Sequence, residues 1–380
     1  MLMKKKRNII FILSFLFIIF CGQDVIKSPV KVEIVALEKG IYKRKTVELE
    51  TVIDLTKAKG KYFFFLGAAK INAEYEYDEV SFVPNLDEIY FDKGKSFRLN
   101  IKKAGDIYLA NNFETMCVLT MFYNLENILS YWQKNTNYIA DENQPIRIVY
   151  DPIFVSKDSE KELFLQLKLN AVYLTGYNNL WFFKTSSIEE IPLKMNLSVL
   201  AHEFMHVVFD KNFSKGDLSF YETQEKKNTY RLNAINEGLA DHSAWAISQD
   251  LSGYSSSLGD FDERELPAKF TNKDLKSSFN HAGCKGGFYC EGSVVASFLL
   301  DLTLEHSISQ ETVSSWVFEA ILNLREDWQA TKDVGSFDFY YLLKRINDQA
   351  GPENKAKVCQ SFRKWFDDTI NIKKAEEYCL

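Results

Sequence analysis

Residues Leu197 to Asp210 read LSVLAHEFMHVVFD, and the rest of the chain is organised around this stretch. No proline interrupts residues 194–211, and Asn196 or Ser198 can accept hydrogen bonds from the first free amides, so the stretch predicts a helix. His202 and His206, four positions apart, then project from one face and can grip a single metal ion. Glu203 follows His202 directly and stands beside such an ion, where a carboxylate can take a proton from water. The other positions (Leu197, Val199, Leu200, Phe204, Met205, Val207, Val208 and Phe209) are apolar nearly all round. Such a helix is buried, and its two histidines need partners. Only five histidines occur in 380 residues. Two of them at this spacing around a glutamate favour a metal site over a pair of core histidines.

Downstream, Asn233 to Asp241 reads NAINEGLAD, with Glu237 and Asp241 again four apart, on an apolar-periodic segment reaching about Ile247. Upstream, Leu169-Asn170-Ala171-Val172-Tyr173 precedes Asn179-Leu180-Trp181-Phe182-Phe183. Together, HEFMH, NEGLAD and this Asn-Ala step before an apolar strand resemble the thermolysin-like zinc peptidases, the gluzincins. The three pieces stand in that family's order between Asn170 and Asp241. The resemblance implies an α+β fold in which a thermolysin-like zincin catalytic domain has a largely helical C-terminal part. It implies that His202, His206 and Glu237 hold one Zn2+, with Asp241 hydrogen-bonded to His202. It also implies that Asn170 and Ala171 hold a substrate main chain as an added strand.

A catalytic zinc site has three protein ligands and leaves one position open, whereas structural sites are closed. No cysteine lies close in sequence to close this one. The expected activity is that of a zinc metalloendopeptidase on a peptide or protein substrate, with Glu203 as general base. A donor for the developing oxyanion is also needed. The glycine-rich stretch His281 to Tyr289 offers both His281 and Tyr289, and the spacing does not choose between them. Two other readings stand beside this one: a non-catalytic zinc-containing surface lipoprotein that binds a partner, and a metallohydrolase of non-peptide amides or esters. Glu203 counts against the first, since a binding protein has no use for the base.

The first residues read as a targeting segment, kept apart from the fold. Lys4-Lys5-Lys6-Arg7 precedes an uncharged apolar run, Ile9 to Phe20, which ends at Cys21. Its twelve residues would span about 18 Å as a helix, against a hydrocarbon core of roughly 30 Å. Residues 1–20 are therefore expected to be a signal peptide and Cys21 the lipid-bearing cysteine of an exported bacterial lipoprotein. Phe20 is bulky where that motif has a small residue, which leaves ordinary secretion as the alternative. Without the four positive charges of residues 1–20, the formal charge of −6 becomes −10. That balance argues against a nucleic-acid partner, and the membrane is expected to be reached only through the lipid.

Residues 21–28 read as a linker and 29–109 as a small antiparallel β domain. Val47-Leu49-Thr51-Ile53-Leu55, Tyr75-Tyr77-Glu79 and Phe97-Leu99-Ile101 each alternate at period two. The period then changes. Phe113, Cys117, Met121, Leu125, Leu129 and Trp132 predict a helix over 113–133. A strand at Ile146–Tyr150 and a short helix at Ser159–Leu167 follow, so residues 110–250 are expected to form the zincin catalytic part. Four helices, roughly 292–306, 311–324, 337–349 and 353–366, make 251–380 a helical part completing the cleft. With Cys21 set aside, five cysteines remain and none forms a C-x-x-C pair. In an exported protein Cys284–Cys290 and Cys359–Cys379 are the expected local disulfides, and Cys117, on an apolar helical stripe, a buried thiol.

Overall fold

The computed structural model describes residues 25–72, 90–155, 171–184, 190–217, 220, 226–258, 264–277, 287–331 and 337–379. The segment through Cys21, the predicted strand at 75–79 and the predicted helix at 159–167 lie outside these residues, as do Asn170, His281 and Cys284.

The described chain opens as a hairpin. Strand β1 (Val30–Glu38) turns Val32 and Ile34 inward at period two, and β2 (Ile41–Leu49) pairs with it antiparallel along its whole length. The two-residue turn between them, Lys39-Gly40, has both residues at positive φ, as the twist of a tight hairpin demands. The alternation predicted from Val47 through Leu55 breaks after Leu49. The amides of Glu50 and Thr51 donate to the carboxylate of Glu126 at 3.1 and 2.7 Å, and Leu55–Lys57 forms a turn of 3-10 helix. A side-chain acceptor takes the amides that a neighbouring strand would otherwise have paired.

Strand β3 (Phe63–Gly67) next pairs in parallel with a strand far downstream, while β4 (Ile101–Ala104) and β5 (Ile107–Ala110) form a hairpin on the first sheet, β5 lying parallel to β1. Helix α1 (Phe113–Asn135) is capped by Asn112, which accepts from the Thr115 amide. After it come β6 (Ile146–Tyr150), β7 (Ala171–Leu174) and β8 (Asn179–Phe182). The first sheet has the order β2-β1-β5-β4. The second runs from edge strand β7 through β8 and β6 to β3 and on through Lys59–Gly60 to Val52–Asp54. The register Phe63↔Ile146 carries this second sheet across residue 109, where the change of period falls.

The remainder is helical: α2 (Leu197–Phe213), α3 (Lys226–Ser248), α4 (Phe288–Leu304), α5 (Gln310–Ala330), α6 (Tyr340–Gln349), α7 (Gly351–Trp365) and α8 (Thr369–Tyr378). The architecture is thus α+β, with sheets in the N-terminal part and helices in the C-terminal part. One buried apolar cluster runs from Val30 to Ala375. Aromatic rings carry it from sheet to helix: Phe122 of α1 stacks on Phe65 at 5.7 Å, and Phe63 meets Phe204 of α2 edge-on at 6.3 Å. The sheet and α1 therefore fix the height and rotation of α2. Cys359 and Cys379 form a disulfide that ties α7 to the end of α8. Cys290 is also disulfide-bonded, and Cys117 is a buried free thiol. No helix among the described residues is long and apolar enough to cross a membrane.

Candidate metal centre

Helix α2 begins where the sequence predicts. Of the two possible caps Asn196 serves: its side-chain oxygen accepts from the amides of Ser198 and Val199 at 2.9 and 3.3 Å, and its Nδ2 donates to Gly253 O at 2.7 Å. Ser198 Oγ has no hydrogen-bond partner. One cap residue thus starts the helix and also ties it to the segment after α3, from which two further residues enter the site.

Helix α3 lies against both α2 and α4. Its approach to α4 depends on two glycines facing each other. A Cβ on Gly238 would come within 2.4 Å of Gly292 O and 2.5 Å of Val295 Cβ. Gly238 follows Glu237 directly, so the same close packing that demands glycine sets the position of the carboxylate beside it.

His202 and His206 meet with their Nε2 atoms 3.1 Å apart. Glu237 Oε2 is 3.4 Å from His202 Nε2, and its Oε1 is 3.7 Å from His206 Nε2. The three side chains offer ligand atoms that all lie within 4.8 Å of one another. Tetrahedral donors each ~2.0–2.1 Å from one ion would stand roughly 3.3 Å apart, which these separations match. Two imidazole nitrogens and a carboxylate oxygen form a donor set suited to zinc.

The outward nitrogens of both rings are engaged. His206 Nδ1 lies 3.1 Å from Asn236 Oδ1. His202 Nδ1 lies 3.0 Å from Asp241 Oδ1 and 3.0 Å from Tyr254 Oη, which itself donates to Asp241 Oδ1 at 2.8 Å. Acceptors at both Nδ1 positions select the tautomer that carries its proton there and leaves the Nε2 lone pairs facing inward. A centre that orients both histidines in this way fits a metal ion.

Arg264 also enters the centre, donating from Nη2 to Glu237 Oε2 at 2.6 Å and from Nη1 to Asp241 Oδ1 at 3.2 Å. Burial opposes the charge on Glu237, but Arg264 and the two histidines prevail and hold its carboxyl far below the ordinary range. For His202, burial and the Arg264 charge act downward. Hydrogen bonds to Asp241 and Glu237 overcome them and hold the imidazole above its usual range. Glu203, on the buried side of α2, has its carboxyl pushed up by burial, with the neighbouring histidines pulling the other way.

The structure therefore brings together His202, His206, Glu237 and Asp241, with Glu203 beside them. Tyr289 sits in the first turn of α4 with its ring 4.5 Å from the Arg264 guanidinium. Ala171 opens edge strand β7, opposite Phe182 of β8. His242 points into the core against Trp245, and His306 stands 3.7 Å from Asp301 in the C-terminal part. Two residues of the centre, Tyr254 and Arg264, carry no signal in the sequence, and Asn236 stands inside the NEGLAD stretch without a role that the stretch itself assigns. Asn236 stands next to Glu237 and could have been found by asking what His206 Nδ1 meets. Tyr254, in a turn, and Arg264 belong to no α-helix or strand among the described residues, and no period marks them.

No protein-family model and no curated protein matches the chain. Among solved structures it is similar to the precursor of protealysin, a metalloproteinase from Serratia proteamaculans. The identity is 12% and the TM-score 0.44, over 82% of this chain and 87% of that one.

Proposed function

We propose that the protein is a zinc metallopeptidase that hydrolyses peptide bonds with Glu203 as general base. The observation that carries this is the convergence of His202, His206 and Glu237 with both histidine Nδ1 atoms already committed. Zinc held by these three would act as a Lewis acid toward a carbonyl and make water a better nucleophile near neutral pH.

The chain's own residues supply the rest. Asp241 and Asn236 hold the two rings in orientation. Glu203 accepts the proton of the attacking water and passes it to the leaving amine, and burial raises its basicity toward the working pH. Strand β7 pairs on one side with β8 and is an edge of its sheet, which supports the docking of an extended peptide from Ala171 onward as an added strand. We assign the oxyanion donor to Tyr289, whose ring lies against Arg264 beside the centre. From the basic n-region, the apolar run and Cys21 we further assign export and a lipid anchor, which mass spectrometry of the mature N-terminus tests directly.

The function is tested by metal analysis of the purified protein and a chelator-sensitive peptide-cleavage assay. Glu203→Gln is expected to stay folded, keep its zinc and lose at least ~100-fold of peptide hydrolysis. A wild type that holds zinc but cleaves nothing in a broad peptide library would overturn the enzymatic reading. Equal cleavage by the mutant would remove Glu203 from the role of base.

A further inference from the structure

Arg264 is a permanently charged side chain, 11% exposed, at the heart of a site that also takes a cation. Both terminal nitrogens are engaged there. Nη2 meets Glu237 Oε2 at 2.6 Å and Nη1 meets Asp241 Oδ1 at 3.2 Å. The guanidinium carbon lies 4.5 Å from the centre of the Tyr289 ring and 5.9 Å from that of Tyr254.

Its relation to His202 is of another kind. Nη1 is 3.1 Å from Nε2 and 3.4 Å from Nδ1 of the same imidazole. An atom on the in-plane axis of the Nε2 lone pair would be far more distant from Nδ1 than from Nε2. Nearly equal distances place Nη1 between the two ring nitrogens and off the axis of the Nε2 lone pair. The lone pair stays available to a metal while the positive charge remains beside it.

The charges of the centre can then be counted. Glu237 and Asp241 bring two negative charges, and Arg264 offsets one. Asp241 Oδ2 has no hydrogen-bond partner, so the neutralisation of this fully buried carboxylate runs through Oδ1 alone. A buried pair of carboxylates with no cation near would be costly. Arg264 lets them sit together without an ion, and for the same reason it repels a dication that arrives next to it in a medium of low dielectric.

We propose that Arg264 is the built-in counter-charge of the metal centre. It assembles Glu237, Asp241 and His202 in the metal-free protein, and it sets the zinc affinity below that of the same ligands without it. This rests on the metal reading above and adds a residue that positions and tunes the ligands without ligating the ion.

The test is competition for zinc between the metal-free full-length protein and a chromophoric chelator, with folding followed by circular dichroism. Arg264→Met keeps a long stem between the two tyrosines and removes the charge. It is expected to bind zinc at least ~10-fold more tightly than wild type. Arg264→Lys keeps the charge and is expected to stay within about threefold of wild type. Zinc is also expected to raise the melting temperature more in Arg264→Met than in wild type, because the metal then replaces the missing cation. Equal or weaker binding by Arg264→Met overturns the proposal, as does equal tightening in Arg264→Lys. If Arg264→Met does not fold without metal, Arg264→Gln, which keeps donors for the carboxylates, makes the same comparison. Failure of wild type to take up zinc would instead sink the metal reading itself, so the two failures are distinct.

Discussion

The hydroxyl of Tyr254 stands 3.0 Å from Nδ1 of His202, a residue 52 positions earlier in the chain. It donates to Asp241 Oδ1, the same oxygen that lies against His202 Nδ1. The proton on His202 Nδ1 is therefore shared between a carboxylate and a phenol that are themselves hydrogen-bonded. This closed triangle fixes the rotation of a ring whose other nitrogen faces the metal position.

Tyr254→Phe removes one corner of the triangle and keeps the ring. We expect a folded protein whose zinc affinity falls about tenfold, at the low end of the ~10–100-fold typical of residues that orient metal ligands. Chelator competition measures it. Unchanged affinity would mean that Asp241 orients His202 unaided.

Removing a ligand should do more. His206→Ala is expected to lose the zinc, while Glu203→Gln retains it. With zinc at ~100 times its dissociation constant, wild type gains about 2.7 kcal/mol of stability from the metal, a gain absent in His206→Ala. Atomic-emission analysis and thermal melts with and without zinc read both effects. Full zinc occupancy in His206→Ala would end the assignment of ligands.

Gly238→Ala tests the helix contact that positions Glu237. Its Cβ would press on Gly292 O, a backbone atom that cannot swing aside, and on Val295 Cβ. The helices α3 and α4 must separate, at about 1–3 kcal/mol. Both the denaturation midpoint and the zinc affinity should fall, because Glu237 moves with α3. A variant as stable as wild type would show that this contact has slack.

A pH prediction comes from His242, which is buried beside Trp245 with Nε2 unpartnered. Burial pushes its imidazole down from 6.5 to about 3. Above pH 6.5 the folded and unfolded chains both carry it neutral, and its contribution is constant. As the pH falls from 6.5 toward 3, the unfolded chain takes up a proton that the folded chain refuses. Stability is therefore lost on acidification, at up to ~1.4 kcal/mol per pH unit from this one group. Denaturant titrations between pH 7 and 4.5 should show a shallower slope for His242→Leu than for wild type. Identical slopes would mean that His242 is protonated without unfolding.

Much of this was legible in the sequence, and the reasons differ from element to element. Helix α1, expected over 113–133, spans Phe113–Asn135, and the strand expected at Ile146–Tyr150 is found with the same ends. In both, a strong apolar period agrees with tertiary packing. The four expected C-terminal helices match to within a few residues, except that α5 runs on to Ala330 past the expected end at 324, and α8 (Thr369–Tyr378) has no expected counterpart. The strand expected through Leu55 is interrupted after Leu49, because Glu126, on a helix more than seventy positions away, captures the amides of Glu50 and Thr51, and a separate strand resumes at Val52–Asp54. Phe97-Leu99-Ile101 alternates in sequence, yet of the three only Ile101 lies in a strand.

What the sequence determined by itself was local chemistry on regular elements. A four-residue spacing on a helix is a statement about direction, because 3.6 residues per turn puts i and i+4 on one face. His202 with His206, and Glu237 with Asp241, could thus be paired without coordinates. Tertiary structure alone decided which faces meet, and that brought Glu237 to the two histidines through the Gly238–Gly292 contact. It also decided what the chain outside α-helices and strands delivers. Tyr254 lies in a turn and Arg264 belongs to no α-helix or strand among the described residues, so spacing gives no direction for their side chains. Their place in the centre is set by long-range packing: the Asn196 cap that ties Gly253 to α2, and the two buried carboxylates that one guanidinium bridges.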